Sequence, residues 1–259
     1  MFRCIFVRSA LKILAAALVV GCGALVFAQE PAQGQGRRGG GGGAGGTGAA
    51  RPSSAQAFFT VDWVRPPSQT GQVPVVQENI TDPNVEFKQY GAGKQLLTSG
   101  TPGSDTTPFS VWSGECEGPF AITFRQKSNY VDLTGLAKIR WVTKTSGFHV
   151  VRPVVKLADG TMLIGNVASA SVPMLVQSEF AVASVRWVKL DPTRVVTLGG
   201  TGGANNEIWI DNPDLSKVDE VGFADLMPGS GHGTGGYIHL GRIEVFGKAV
   251  PRATSTSSR

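Results

Sequence analysis

Residues 138–143 read Lys-Ile-Arg-Trp-Val-Thr, and basic and apolar side chains alternate over the first four positions. In an extended chain, Ile139 and Trp141 fall on one face, while Lys138 and Arg140 fall on the other. Such alternation with a period of two residues is typical of a strand that has one buried face and one solvated face. The stretch therefore predicts a β-strand at the boundary of a hydrophobic core.

Similar short apolar segments follow one another through the chain, separated by Gly, Pro, Asn and Asp. Residues 242–246 alternate in the same way, and Ala158-Asp159-Gly160 predicts a hairpin turn, because Asp-Gly readily adopts positive φ. After residue 56, no stretch keeps a 3.6-residue period over three turns. The expected strands are Ala57–Trp63, Val85–Tyr90, Phe120–Phe124, Lys138–Thr143, Val150–Leu157, Met162–Gly165, Phe180–Leu190, Arg194–Leu198, Val218–Asp225 and Tyr237–Phe246. We therefore predict an all-β domain at residues 57–250, folded as an antiparallel β-sandwich of the jelly-roll kind.

The N-terminal segment predicts export. Met1–Lys12 is basic, and Ile13–Ala28 is an almost unbroken apolar run that ends in small residues before Gln29. This is the pattern of a secretory signal peptide at residues 1–28, so we expect a periplasmic or extracellular protein. Two alternatives stay open: a retained membrane anchor, and a lipoprotein acylated on Cys22, because Val19–Cys22 resembles a lipobox.

Residues 29–56 and 251–259 have the composition of disordered segments. Ten of the 35 glycines lie between Gly34 and Gly48, where large apolar side chains are almost absent. Such a chain cannot bury enough surface to offset the entropy of ordering it. We expect a flexible linker before the sandwich and a short Ser/Thr-rich tail after it.

The net charge of the expected domain argues against nucleic acid as a partner. The whole chain has 24 basic and 19 acidic residues, a formal charge of +5. Residues 56–250 have 16 Lys and Arg against 18 Asp and Glu, and 16 − 18 gives −2. The basic excess therefore belongs to the leader and tails, and the domain has no overall basic character.

Two parts of the sequence resemble galactose-binding-like β-sandwich domains. Tyr130–Leu136 followed by Lys138–Trp141 is similar to the early core of that superfamily, and Leu215–Phe223 through Gly241–Gly247 is similar to its closing strands. The resemblance implies a jelly roll whose loops often bind sugars and, in some relatives, a structural calcium ion. No binding motif of the superfamily can be matched residue by residue, and the fold alone does not specify a function.

Enzyme motifs give little support for catalysis. The stretch 231–236 contains a G-x-G-x-x-G pattern, but it precedes a predicted strand, whereas a dinucleotide-binding loop follows a strand and opens a helix. The sequence has no G-x-S-x-G, Walker A, H-E-x-x-H or paired C-x-x-C motif. Carboxyl groups remain as an alternative, since a glycosidase needs two of them and calcium prefers oxygen ligands. The candidates are Asp211, Asp214, Asp219, Glu220 and Asp225.

Aromatic and polar residues near the end of the chain predict a sugar-binding surface. Aromatic faces pack against the C–H faces of sugar rings, and a few polar groups fix the hydroxyls. The predicted ligand-binding residues are Trp209, Asp211, His232 and Tyr237, with Asp225 as a neighbour. We expect a non-catalytic module that binds a glycan or another surface polymer. The alternatives are a carbohydrate-active hydrolase that uses the acids of the Asp211–Asp225 region, and a structural envelope protein that binds a protein partner.

Overall fold

The computed structural model describes residues 57–91, 96–114, 116–170, 172–199, 207–227 and 236–252. These residues all belong to one structural unit, Ala50–Arg259. Short 3-10 helices lie at Gln77–Asn79 and Val182–Ser184. The strands of the described residues are β1 (Ala57–Val61), β2 (Val85–Tyr90), β3 (Leu97–Ser99), β4 (Ser110–Trp112), β5 (Phe120–Gln126), β6 (Asn129–Asp132), β7 (Lys138–Thr145), β8 (Arg152–Leu157), β9 (Met162–Gly165), β10 (Val172–Ala181), β11 (Trp187–Asp191), β12 (Val196–Thr197), β13 (Trp209–Ile210), β14 (Val218–Asp225), β15 (Ile238–Phe246) and β16 (Lys248–Pro251).

The strands form two sheets, and within each sheet the neighbouring strands pair in antiparallel orientation. The six-stranded sheet has the order β10-β7-β15-β4-β3, and β1 also pairs with β15. The ten-stranded sheet has the order β12-β11-β9-β8-β14-β5-β2, with β13 beside β11 and with β6 joining β14 to β16. The predicted all-β antiparallel sandwich is confirmed.

The main core lies between the two sheets and is rich in aromatic rings. Trp141 of β7 stacks on Phe223 of β14 with ring centroids 5.1 Å apart. Phe223 in turn meets Phe124 of β5 edge-on at 6.3 Å, and Phe124 meets Trp63 at 5.7 Å. These contacts join one sheet to the other, and burying rings of this size contributes much of the hydrophobic stabilisation of such a sandwich.

Strand β7 contains residues 138–143 and has the alternation predicted for them. Its residues alternate between buried and partly exposed along the whole strand, and Trp141 is 1% exposed. On the outer face, Arg140 forms ion pairs with Glu179 and Glu244. The Asp-Gly hairpin is also confirmed, because Gly160 has φ +88° and the backbone N–H of Thr161 donates to the carboxylate of Asp159.

One predicted strand is wrong. Phe180–Leu190 was expected as a single strand, but β10 ends at Ala181, a 3-10 helix follows, and β11 starts at Trp187. The physical reason is a change of sheet: β10 pairs in the six-stranded sheet and β11 in the ten-stranded sheet. The 3-10 helix makes this crossing while the N–H of Val182 donates to the carbonyl of Ala137.

The outer face of the ten-stranded sheet has a second hydrophobic cluster. Val154, Ile164 and Val188 lie there, in cross-strand register on β8, β9 and β11. Val195 belongs to the same cluster and is fully buried in the turn between β11 and β12, at φ +52°. A valine rarely adopts this left-handed conformation, so burial of its side chain offsets a backbone cost of roughly 1–3 kcal/mol.

Several expectations concern residues outside the described ranges. These are the signal peptide, the linker, Cys22, His232 and the last seven residues of the chain. Strand β16 pairs with β6 as far as Pro251, one residue past the expected end of the domain. Within the described ranges, no helix is both long and apolar enough to cross a bilayer.

Candidate functional site

Trp209 lies at the edge of the ten-stranded sheet and faces away from the main core. Strand β13 pairs with β11 so that Trp209 is opposite Val188, while Ile210 is opposite Trp187. Paired residues share a face, so Ile210 packs against the core with Trp187, and Trp209 points outward with Val188. The side chain of Trp209 is 38% exposed. An indole with this exposure can contact a ligand.

A pocket of about 380 Å³ brings Trp209 together with charged and amide groups. The guanidinium carbon of Arg186 lies 4.2 Å from the centroid of the Trp209 ring, a cation–π contact. Asp211 and Asn212 line the same pocket. Sequence reasoning found Trp209 and Asp211 but missed Arg186, because only the pairing of β13 with β11 places it over the indole.

The turn after β13 fixes the polar side of this pocket. Asn212 has φ +49°, a left-handed conformation that Asn adopts more readily than most residues. Two residues later, the carboxylate of Asp214 accepts a hydrogen bond of 3.0 Å from the backbone N–H of Ser216. Because this bond closes a turn, Asp214 is occupied in shaping the loop while Asp211 lines the pocket.

Asp225 lies in the interior. Its side chain is fully buried, accepts a 2.6 Å hydrogen bond from Nδ1 of His149, and also accepts from the backbone N–H of Met227. Burial raises the pKa of the Asp225 carboxyl, although the hydrogen bonds from His149 and Met227 act in the opposite direction. With no exposed surface, this carboxylate is not available to a ligand in this conformation.

Tyr237 lies beside the six-stranded sheet. It immediately precedes β15, its ring meets that of His239 edge-on at 5.3 Å, and Nζ of Lys144 lies 5.6 Å from its centroid.

The distance between Trp209 and Asp225 is also large, because four strand pairings separate β13 from β14. At a strand spacing of roughly 4.8 Å this corresponds to about 19 Å. Of the residues predicted to bind ligand, only Trp209 and Asp211 therefore share a pocket among the described residues.

The remaining acids of the Asp211–Asp225 region are engaged by basic groups. Asp219 accepts a 2.9 Å hydrogen bond from Nε of Arg125 and pairs with Arg252. Glu220 is fully buried and accepts hydrogen bonds from Lys88, Tyr90 and Thr123. These acids therefore stabilise the outer face of the ten-stranded sheet.

Glu220 shows how a buried charge is held on this sheet. Burial raises its pKa, but the hydrogen bonds from Lys88, Thr123 and Tyr90 together outweigh burial and hold the pKa of Glu220 below its usual value. Glu220 is therefore a buried carboxylate whose partner Lys88 remains 41% exposed, and removal of these partners would leave the buried charge uncompensated. Within the described ranges, no three His, Cys, Asp or Glu side chains come close enough to ligate a metal ion.

No family model and no curated protein matches this sequence. Among solved structures, the chain is similar to the family 11 carbohydrate-binding module of cellulosomal cellulase Lic26A-Cel5E of Clostridium thermocellum. The identity is 14% and the TM-score 0.39, over 70% of this chain and 97% of that one. A family 11 module from the same organism, in complex with a β-1,3-1,4-mixed-linked tetrasaccharide, has 13% identity and a TM-score of 0.39, over 70% and 98% of the two chains.

An exo-β-agarase structure is similar over 70% of this chain and 25% of its own, with 10% identity and a TM-score of 0.34. At such identities and TM-scores, these likenesses carry no argument about a ligand or a site. The case for a function therefore rests on the residues of this chain.

Proposed function

We propose that this protein is a non-catalytic carbohydrate-binding module and that the Trp209 pocket holds a sugar ring. One observation supports this proposal: residues that bear an exposed indole, a guanidinium, a carboxylate and an amide line the same pocket. The indole of Trp209 offers an apolar surface to the C–H groups of a pyranose. Arg186, Asp211 and Asn212 offer donors and acceptors for its hydroxyls.

The engagement of the other acids supports binding without hydrolysis. A glycosidase needs an acid and a second carboxylate on either side of the scissile bond. Asp219 and Glu220 are bound to basic partners, and Asp225 is buried against His149. Asp211 is the acid of this group that faces the Trp209 pocket.

The direct test is titration of the purified protein with neutral oligosaccharides built from glucose, xylose, mannose or galactose. We expect binding to at least one series and a loss of about tenfold or more in Trp209→Ala, the effect of removing one buried aromatic contact. Ile208→Ala is the matched control, because Ile208 is 39% exposed, adjoins Trp209 in sequence and does not line the pocket.

Two outcomes would contradict the proposal. One is a folded protein that binds none of the four series. The other is binding that Trp209→Ala leaves unchanged, or that Ile208→Ala weakens equally. Arg186→Ala is a second variant that tests sugar binding in the same pocket. Because Arg186 is exposed, its removal should not unfold the domain.

We also propose that the module is exported, on the basis of the signal-peptide pattern in residues 1–28. Mass spectrometry of the mature N-terminal peptide distinguishes the possibilities. A peptide that starts at Gln29 supports simple cleavage, one that starts at an acylated Cys22 supports a lipoprotein, and an intact Met1 in an envelope fraction supports a retained anchor.

A further inference from the structure

A groove of about 670 Å³ crosses the outer face of the six-stranded sheet, and the proposed sugar pocket does not include it. We call it the outer groove. Strands β7, β15 and β4 supply its floor, the loop of residues 99–109 one wall, and Pro173–Leu175 of β10 the other. Its volume falls within the range of roughly 300–1,000 Å³ that is usual for ligand sites.

A β-bulge shapes the floor of the outer groove. The register of β15 against β7 shifts between Leu240 and Ile243, so that Gly241 and Arg242 together lie opposite Val142. Because of the extra residue, both Gly241 and Arg242 line the groove while Ile243 points into the core. A Cβ on Gly241 would lie 3.1 Å from side-chain atoms of Val142, so glycine keeps the strands close and the floor open.

The loop that forms one wall is braced from behind. Gly100 has φ +81°, and a Cβ there would lie 2.3 Å from the carbonyl oxygen of Pro108, so this position requires glycine. Nη2 of Arg65 donates a 2.9 Å hydrogen bond to the carbonyl of Gly100, and its guanidinium lies 5.1 Å from the centroid of Phe109. A wall held in this way loses little conformational entropy when a ligand binds.

The groove offers uncharged hydrogen-bonding groups beside apolar surface. The hydroxyl-bearing residues Ser99, Thr106, Thr107 and Ser110 line it, and Met174 on the opposite wall is 65% exposed. His239 lies in the floor, with Nδ1 3.2 Å from the hydroxyl of Ser110. Burial, with a smaller contribution from Lys144, lowers the pKa of His239 from 6.5 to about 4, so its imidazole is neutral at pH 7.

The floor also has a lysine, Lys144, and the wall has an acid, Asp105. In the described part of the chain, Lys144 has no carboxylate within ion-pair distance, and its ammonium lies over the Tyr237 ring. Arg242 is paired with Asp62 at 2.7 Å, and Asp105 lies in the wall loop. Among the described residues, Lys144 is therefore the basic group of the floor that has no acidic partner, and its charge can pair with an anionic ligand.

We propose that the outer groove binds an acidic polysaccharide, with Lys144 pairing with its carboxylate or sulfate groups and the groove hydroxyls bonding its sugar hydroxyls. The ligand class follows from the combination: Lys144, which has no acidic partner among the described residues, favours negative charge, while the hydroxyls, the neutral imidazole and Met174 suit sugar rings. This inference goes beyond the proposed function, since it assigns a second site on the other sheet.

The test titrates the full chain with polygalacturonate and with its methyl ester, which keeps the sugar backbone but lacks the charge. Dextran sulfate and dextran form the same comparison for sulfate. We expect the acidic polymer of at least one pair to bind at least about tenfold more tightly than its neutral form, and Lys144→Gln to remove about tenfold, the worth of one charge-assisted hydrogen bond. Lys144→Arg should retain binding, and added salt should weaken it.

Three variants distinguish binding in the outer groove from attraction to any exposed lysine and from binding in the Trp209 pocket. Lys248→Gln removes an exposed lysine from the ten-stranded sheet and should leave binding unchanged. Met174→Ala should weaken binding without affecting the charge. Trp209→Ala should leave the acidic polymer bound, whatever it does to neutral sugars. Equal binding of charged and neutral polymers, no binding of either acid, or equal losses in Lys144→Gln and Lys248→Gln would overturn the inference.

Discussion

Two tryptophans on neighbouring strands have opposite roles because their side chains point to opposite faces. Trp187 of β11 is 1% exposed and belongs to the main core, whereas Trp209 of β13 is 38% exposed. Their strands pair directly, with Val188 opposite Trp209. A shift of one residue in this register would exchange the two faces, so the pairing decides which indole can meet a ligand.

This difference predicts different costs of truncation. Trp187→Ala should reduce the free energy of unfolding by about 3–5 kcal/mol, because it removes a buried ring and leaves a cavity. Trp209→Ala should cost about 1 kcal/mol or less, as expected for a half-exposed side chain. Urea unfolding of both variants measures the two values. Similar losses in both would mean that Trp209 is part of the core, and the sugar pocket would lose its principal residue.

His239 gives a prediction about acid stability. Burial lowers its folded pKa to about 4, below the value of 6.5 for a free histidine. Between these values the unfolded chain binds a proton that the folded chain does not, so stability falls as pH drops from 6.5 towards 4. Urea unfolding at several pH values should show a smaller fall in His239→Gln than in the unchanged protein. Parallel curves for the two proteins would contradict this assignment.

At the level of the strands, the sequence predicted those whose residues pack on a core. Val85–Tyr90, Met162–Gly165 and Val218–Asp225 match the observed strands residue for residue. The strands missed by sequence are short or are edge strands, such as β3 and β13, whose pairing depends on distant partners. The outer groove could not be predicted either, because its floor combines β4, β7 and β15 through a bulge that the sequence pattern does not reveal.

The centre of the ten-stranded sheet depends on one glycine. Gly222 of β14 lies between β5 and β8, and a Cβ there would be 2.0 Å from the carbonyl oxygen of Ile122 and 2.6 Å from Cα of Thr123. Both contacts are with backbone, which cannot rotate away, so Gly222→Ala should cost about 2–3 kcal/mol or more by overpacking.

Gly118→Ala is the control for this prediction. Gly118 has no heavy atom within 4 Å of its ideal Cβ position, so the same substitution should change stability by less than about 0.5 kcal/mol. Thermal unfolding of the two variants side by side gives the comparison. A Gly222→Ala protein as stable as Gly118→Ala would show that β14 can move away from β5, contrary to the tight register observed there.

For the whole molecule, the arrangement of the sheets places the two proposed sites on different scaffolds. The outer groove lies on the six-stranded sheet, and the Trp209 pocket lies at the edge of the ten-stranded sheet. The aromatic core of Trp141, Phe223 and Phe124 lies between the two sheets. The two pockets have no lining residue in common.

Binding at the two sites should therefore be independent. Residues that share no partners usually contribute additively, within about 0.3–0.5 kcal/mol, which corresponds to roughly a twofold change in affinity. Calorimetric titration with polygalacturonate should give the same dissociation constant with or without a saturating neutral oligosaccharide. In the double variant Trp209→Ala/Lys144→Gln, the affinities for the neutral and the acidic ligand should each fall by the factor measured in the corresponding single variant. A change of about tenfold in the dissociation constant for polygalacturonate would require that one ligand alters the conformation that the other binds. The aromatic core between the sheets would then not be rigid.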